Sequence, residues 1–350
     1  MGKTRKIKIA GSDDPAVPPA PAAGSRSACS LCGRPAVTFI RYSGAHLCED
    51  HFLGFVRRKV TREVRRQVRL PDQSTIAVAV SGGKDSVVAL RILHDILSAR
   101  RGTRLVALTV DEGISGYRPS SLRVAARNCK AIGVEHHIIS FCEMFGLTMD
   151  RSRKRWGDST PCTYCGVLRR HCLNKLARKL GADLLATGLN LDDTAQSILM
   201  NICRGDVERL ARLGPHEKAR EGLVRRIQPL RLVSDKESFL YATLKGYPVH
   251  HSVCPYAGAA MRNRFRDMVL ELERASPGTR FCILNSYDAL RPGLQARYPP
   301  ADLAGCSGCG EPSAGGLCEA CKLVKRLKDG TGDRVQGTGR KRGTGDRVQD

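Results

Sequence analysis

An apolar run, Ile76 to Val80, breaks into Ser81-Gly82-Gly83-Lys84-Asp85-Ser86 and then into an apolar-periodic stretch over 86–99. Few features limit a fold as tightly. Adjacent glycines let backbone N–H groups face an anion, and a helix opening at Ser86 adds its positive end. Asp85 beside such a cradle makes sense when Mg²⁺ bridges it to phosphates. The Walker pattern needs Gly-x4-Gly-Lys-Ser/Thr, which this shorter loop does not supply. A strand must lead in and a helix must lead out, so this part of the chain is α/β.

The surrounding sequence repeats that alternation. Strands are expected at Ile76–Val80, Leu105–Val110, Glu135–Ile139 and Leu184–Thr187, with helical patterns over 86–99, 120–132, 166–180 and 191–203. This reads as a doubly wound parallel sheet with helices on both faces. Ligands of open parallel sheets bind at the carboxyl ends of the strands. The glycine loop falls there, as do "TVDEGISGYR" and "ATGLNLDD". The expected organisation is a disordered basic, Pro/Ala-rich leader (1–25), an N-terminal zinc finger (26–56), a basic linker helix (57–72), the α/β domain (73–255), a helical segment (256–300), a zinc ribbon (301–325) and a disordered tail (326–350). The tail carries GTGDRVQ twice, at 330–336 and 343–349.

Charge narrows the partner. The chain has 58 Lys and Arg against 34 Asp and Glu, a net +24. Such an excess points to a polyanion, because each neutralised phosphate releases counterions. Aromatics are only 5%, which argues against a base-stacking platform. In "RRKVTREVRRQVRL" (57–70), Val56, Val60, Val64 and Val68 make one stripe; the other face is either a solvated surface or a phosphate-binding one. No apolar run suits a membrane span, and the first residues lack a signal-like apolar core, so a cytoplasmic protein is expected.

Fifteen cysteines in a chain of that kind point to metal sites and reactive thiols rather than disulfides. "CSLCGRPAVTFIRYSGAHLCEDH" supplies Cys29, Cys32, Cys48 and His51; "CSGCGEPSAGGLCEAC" supplies Cys306, Cys309, Cys318 and Cys321. Two close pairs joined by a short loop offer zinc its tetrahedron, so each set is expected to be a closed structural Zn²⁺ site. Cys162 and Cys165, in "PCTYCGVLRR", stand apart at an expected helix start. The helix end and flanking arginines are expected to favour thiolate there. A redox dithiol, a persulfide carrier and part of an iron–sulfur site all fit, with Cys254 a distant third ligand. Cys129, Cys142, Cys172, Cys203 and Cys282 are expected to be packing residues.

Ser-Gly-Gly-x-Asp-Ser between strand and helix resembles the pyrophosphate loop of N-type ATP pyrophosphatases, the PP-loop superfamily. "DEGISGYR", "FGLTMD", "CTYCGVLRR", "ATGLNLDDTAQSILMNICRGD", "PLRLVSDKESFLYA" and "CPYAGAAMR" follow in order. With both terminal cysteine sets they resemble the tRNA 2-thiolation family over roughly 28–322. That family includes TtuA-type enzymes acting on a T-loop uridine and cytosolic and archaeal enzymes acting on the wobble uridine. "DEGISGYR" and "CGVLRR" look closer to the wobble branch.

The resemblance implies adenylation of the uridine C2 oxygen by ATP, then sulfur insertion, making the chain a tRNA sulfurtransferase that forms AMP and pyrophosphate. It implies that Ala79, Ser81, Gly82, Gly83, Asp85 and Ser86 hold ATP, with Leu108 and Thr109 near the adenine and Gly188 near the nucleotide. Lys84 sits at the loop's variable position. Arg169 would lie near the phosphates and Asp193 near the uridine or the metal. Cys162, Cys165 and Cys254 would hold a 4Fe–4S cluster with one iron free of protein ligand. Cofactors are then ATP, Mg²⁺, the cluster and two Zn²⁺. Partners are tRNA and a sulfur donor, free sulfide or a ubiquitin-like carrier, with a homodimer an open state and no membrane. One departure stands out: the family's Gly-His-Asn is Gly188-Leu189-Asn190 here. A PP-loop adenylating ligase and a zinc-ribbon nucleic-acid-binding protein are the competing classes.

Overall fold

The structure, a computed structural model, describes residues 27–70, 72–156, 161–216, 218–259 and 261–329. The expected leader lies outside the described residues, as does the expected tail from 330 on; its first residues, 326–329, are instead the last turn of a helix that begins at Glu319. What is described falls into two compact units, one ending at Phe52 and one beginning at Leu53.

The first unit holds the hairpin of β1 (Thr38–Ile40) and β2 (Ala45–Leu47), paired antiparallel. Helix α1 (Glu49–Gln67) opens within it, not at 57 as expected. Glu49 and Asp50 in its first turn and Arg65 and Arg66 in its last complement the helix dipole, which explains the earlier start.

The second unit is built on a five-stranded sheet of β3 (Ser74–Ala79), β4 (Thr103–Asp111), β5 (Glu135–Ser140), β6 (Leu184–Ala186) and β7 (Arg225–Ile227). Its order is β5-β4-β3-β6-β7 and every pairing is parallel. The intervening helices are α2 (Lys84–Leu97), α3 (Arg118–Ala131), α4 (Phe141–Phe145), α5 (Met149–Ser152), α6 (Pro161–Lys179), α7 (Leu191–Cys203) and α8 (Val207–Ala211). Ala77, Val106, Leu108, Val110 and Leu185 join Leu168, Cys172 and Leu176 of α6 in one core. Ile76, Val78 and Ala107, which point the other way, are equally buried. Both faces are therefore covered, as a parallel sheet requires. The order reverses beside β3, so the glycine loop lies at the topological switch point.

Beyond the sheet come α9 (Asp235–Leu244), α10 (Arg262–Ala275) and α11 (Thr279–Arg297). Leu284 and Tyr287 of α11 pack on Leu191, Ile198 and Leu210. The short pair β8 (Ala304–Gly305) and β9 (Pro312–Ser313) leads into α12 (Glu319–Asp329). Leu323 and Leu327 of α12 enter the α6 core, and Arg155 donates to the Leu327 carbonyl (3.0 Å). Among the described residues no helix is long and apolar enough to cross a membrane.

Candidate active site

The loop after β3 is held by its own side chains. Ser86 Oγ donates to the Gly83 carbonyl (2.8 Å) and accepts from the Ser81 N–H (3.1 Å). Gly82 adopts φ +89°, and a Cβ there would lie 2.3 Å from the Ser121 carbonyl oxygen. Only glycine fits. The Gly82 carbonyl accepts from the His250 N–H (2.9 Å), which ties the loop to the segment before Cys254. Gly188 presses on the loop from β6: a Cβ there would lie 2.9 Å from the Ser86 nitrogen. No side chain caps α2 at Gly83, leaving its leading N–H groups available to an anion. Leu108 and Thr109 are buried at the end of β4, and Ala79 is half-buried beside them.

Charged groups ring the loop. Lys84 Nζ contacts Asp85 Oδ2 (2.9 Å) and Asp235 Oδ1 (2.5 Å). Burial works against this ammonium, but the two carboxylates outweigh it and raise its pKa. Asp85 Oδ1 is buried with no hydrogen-bond partner. Asp193 exchanges capping-box hydrogen bonds with Asn190 at the start of α7. Arg262 lies 3.5 Å from its Oδ1. Burial, with repulsion from Asp85, pushes the Asp193 carboxyl up to about 6 against the pull of Arg262. Asp193 thus completes the Asn190 capping box and also feels the charge of the loop's Asp85 and Lys84. An orphaned carboxylate oxygen and a second, proton-favouring carboxylate are what a bridging divalent cation relieves.

A second chain of charges runs from the loop to the thiols. Arg118 donates to the carbonyls of Ser81 (3.3 Å) and Val110, and its Nε lies 2.6 Å from Glu112 Oε2 in an ion contact rather than an aligned hydrogen bond. Glu112, 3% exposed, turns its other oxygen to Arg169 Nε (2.8 Å). Arg169 then donates to Cys165 Sγ (3.1 Å). Cys165 is buried, Cys162 exposed and Cys254 intermediate. Cys162 Sγ donates to the Tyr256 carbonyl (3.8 Å), and Tyr256 is fixed by its hydroxyl on Asp150 Oδ1 (2.6 Å) and by the edge of Trp156. That brings Cys254 beside the helix start. The expected lowering of the thiol pKa values is reversed. Burial raises the pKa of both Cys162 and Cys165, with Cys254 adding to each shift, and this exceeds the pull of Arg169. The helix-end argument left out desolvation.

The two four-residue sets are closed. Cys29, Cys32, Cys48 and His51 bring their donor atoms within 4.8 Å of one another, as do Cys306, Cys309, Cys318 and Cys321. His51 Nδ1 lies 3.3 Å from both Cys29 Sγ and Cys48 Sγ. The Cys318 and Gly308 N–H groups donate to Cys306 Sγ (3.1 and 3.4 Å) and push its pKa down to about 6. S₄ and S₃N sets at that spacing fit a tetrahedral ion. Among the described residues Cys162, Cys165 and Cys254 do not close to that spacing. A multi-iron cluster is wider than one ion and suits a wider triad.

Of the expected packing cysteines, Cys129 and Cys172 are buried; Cys142, Cys203 and Cys282 are exposed. Each exposed thiol sits on a helix whose apolar face, carrying Phe141, Ile198 or Leu284, points elsewhere. Glu112, Arg118, Asp235 and Arg262 were not singled out from the sequence. The one local signal was Asp235, which opens α9 behind the Ser234–Glu237 capping box.

A profile described as the 2-thiouridine synthetase TtuA N-terminal LIM domain matches residues 29–53, and one described as the PP-loop domain matches residues 56–273. The tRNA 2-thiolation protein NcsA of Haloferax volcanii is 38% identical over 317 residues, covering 86% of this chain and 99% of that one. The tRNA-5-methyluridine(54) 2-sulfurtransferase of Pyrococcus horikoshii is 35% identical over 295 residues, covering 84% and 93%. Among solved structures, the U34-tRNA thiolase NcsA from Methanococcus maripaludis with its [4Fe-4S] cluster superposes with a TM-score of 0.74 at 32% identity, covering 86% and 96%.

Proposed function

Since the chain belongs to the PP-loop family of tRNA 2-thiolation proteins, we propose that it is an ATP-dependent tRNA uridine 2-thiolase acting on the wobble uridine. The observation that carries this reading is the joining of two sites. Glu112 contacts both Arg118, which touches the glycine loop, and Arg169, which touches Cys165. A nucleotide site and a sulfur site that share one buried carboxylate serve one reaction.

The uridine C2 oxygen is a poor leaving group. Its attack on the α-phosphorus of ATP expels pyrophosphate and turns it into an AMP ester; sulfide then adds to C2 and AMP leaves with the oxygen. Gly82, Gly83 and the leading N–H groups of α2 bind the phosphates, with Ser81 and Ser86 fixing the loop. Lys84 and Arg169 offset phosphate charge. Asp85 and Asp193 would hold the Mg²⁺ that accompanies the triphosphate. The adenine would meet Ala79 and the backbone around Leu108 and Thr109, and Gly188 leaves room for the loop. Cys162, Cys165 and Cys254 would hold a 4Fe–4S cluster, which would supply Lewis-acid activation of hydrosulfide as the nucleophile. The closed sets would hold one Zn²⁺ each and shape the modules that carry them.

The test is anaerobic incubation with ATP, sulfide and unmodified tRNA. One 2-thiouridine should form per AMP and pyrophosphate released; ATP-independent tRNA binding without thiolation would mark a binding module instead. Free sulfide and a ubiquitin-like carrier are compared as donors in the same assay, and light scattering of the active fraction tests a homodimer. A second reading, thiolation of the T-loop uridine, is favoured by the Pyrococcus horikoshii relative. Mass spectrometry of nuclease fragments separates it from the wobble position.

A further inference from the structure

Helix α1 turns a stripe of Val56, Val60 and Val64 into the core, and all three are buried. Its exposed side carries Arg57, Arg58, Arg62 and Arg65, which with Gly54 and Thr61 line an open groove of about 520 Å³. At 100° per residue Gly54, Thr61 and Arg65 fall toward the middle of that face, with Arg57 on one side and Arg58 and Arg62 on the other. Two small residues thus leave room between guanidinium groups. Among the described residues none of these four guanidiniums makes an ion pair or hydrogen bond. Arg66, on the flank, differs: it pairs with Glu63 (2.9 Å) and Asp288 (3.5 Å). The one acidic residue of this stretch, Glu63, is fully buried and taken by Arg66 and Gln67. Four uncompensated like charges along about two helical turns repel one another, a cost that a polyanion removes.

The groove is also fixed relative to the glycine loop. Lys59, next to Arg58, makes a buried pair with Glu237 (2.8 Å) in the first turn of α9. Asp235, two residues earlier, contacts Lys84 of the loop. One helix start therefore anchors both the arginine face and the nucleotide site.

We propose that the Arg57–Arg58–Arg62–Arg65 face of α1 is a docking surface for the phosphate backbone of the tRNA, away from the reacting uridine. The lining carries no aromatic and no large apolar residue, so it reads charge and spacing rather than bases or a hydrophobic peptide. The ridge Arg58, Arg62, Arg65 spans about 10 Å of helix, enough for neighbouring phosphates of one strand. This rests on the tRNA reading above.

The test uses the full chain with Arg58, Arg62 and Arg65 all changed to Gln, and Arg62→Gln alone. Binding of fluorescent tRNA is followed by anisotropy between about 50 and 200 mM salt. Each arginine on a phosphate contributes about 0.9 to the slope of log K against log salt. The triple variant is therefore expected to lose about 3 from the wild-type slope and to bind at least roughly tenfold more weakly, and the single variant to lose about 1. ATP affinity should not change in either. Unchanged tRNA affinity and slope in both would overturn the proposal, as would displacement of tRNA from the wild type by polyglutamate at equal charge concentration. Should the triple variant lose ATP binding through misfolding, the single variant's slope decides. Wild-type protein that binds no tRNA would instead sink the thiolation reading, so the two failures are told apart.

Discussion

The closed cysteine sets and the open triad use the same side chain for opposite ends. Cys306, Cys309, Cys318 and Cys321 lie within sixteen residues of sequence and close on themselves, with backbone N–H groups supplying Cys306 with its thiolate character. Cys162 and Cys165 sit at a helix start, and Cys254 arrives on a separate segment pinned by Tyr256. Burial raises the pKa of the Cys165 thiol, which reaches the nucleotide loop through Arg169, Glu112 and Arg118. A local set can be built by a turn and serves stability. A set assembled across the fold can be tied to a second site and serve chemistry.

Paired substitutions should separate the two roles. Cys318→Ser is expected to lower Tm by roughly 5–10 °C in calorimetry, because α12 and its Leu323 and Leu327 lose their anchor in the α6 core. Cys254→Ala is expected to change Tm by less than about 2 °C yet abolish the visible absorption of anaerobically reconstituted protein. Equal Tm losses in the two would break the distinction. Glu112→Gln comes next. It leaves Arg118 and Arg169 without their shared counter-charge and should weaken ATP binding and slow thiolation by about 10- to 100-fold each. The link is read in the same protein: alkylation of Cys165 should change together with the ATP Kd, and a change in only one would cut it.

The smallest effect is on pH. The Asp193 carboxyl titrates near 6, above its unfolded value of 3.8. Its contribution to stability is therefore complete below about 4 and is lost as pH rises through about 6. Nucleotide-free wild type should fall in Tm across that window relative to Asp193→Asn, which carries no such titration. Mg²⁺ with ATP should shrink the difference by stabilising the ionised form.

Much of this was legible where the signal was local. The loop, four strands and the start of α7 fall where alternation and turn chemistry put them, since each is set by its own neighbours in sequence. β7 was missed because three residues, Arg225–Ile227, carry no alternation and pair only at the sheet edge with β6. "DEGISGYR" was visible as a segment, but nothing in it shows that Glu112 serves partners from α3 and α6. The direction of the Cys165 pKa shift was misjudged because helix position is local and burial is not. The replacement of the family's histidine by Leu189 leaves the turn intact, since Asn190 caps α7 and Gly188 admits the loop.

The central claim is that adenylation belongs to the glycine loop and sulfur insertion to the open triad. It is tested most directly by measuring pyrophosphate and 2-thiouridine side by side, anaerobically, with ATP, sulfide and tRNA, in wild type and Cys254→Ala. Wild type should form both in equal amounts, and Cys254→Ala should release tRNA-dependent pyrophosphate while forming no 2-thiouridine. Thiolation by Cys254→Ala at the wild-type rate would contradict the account.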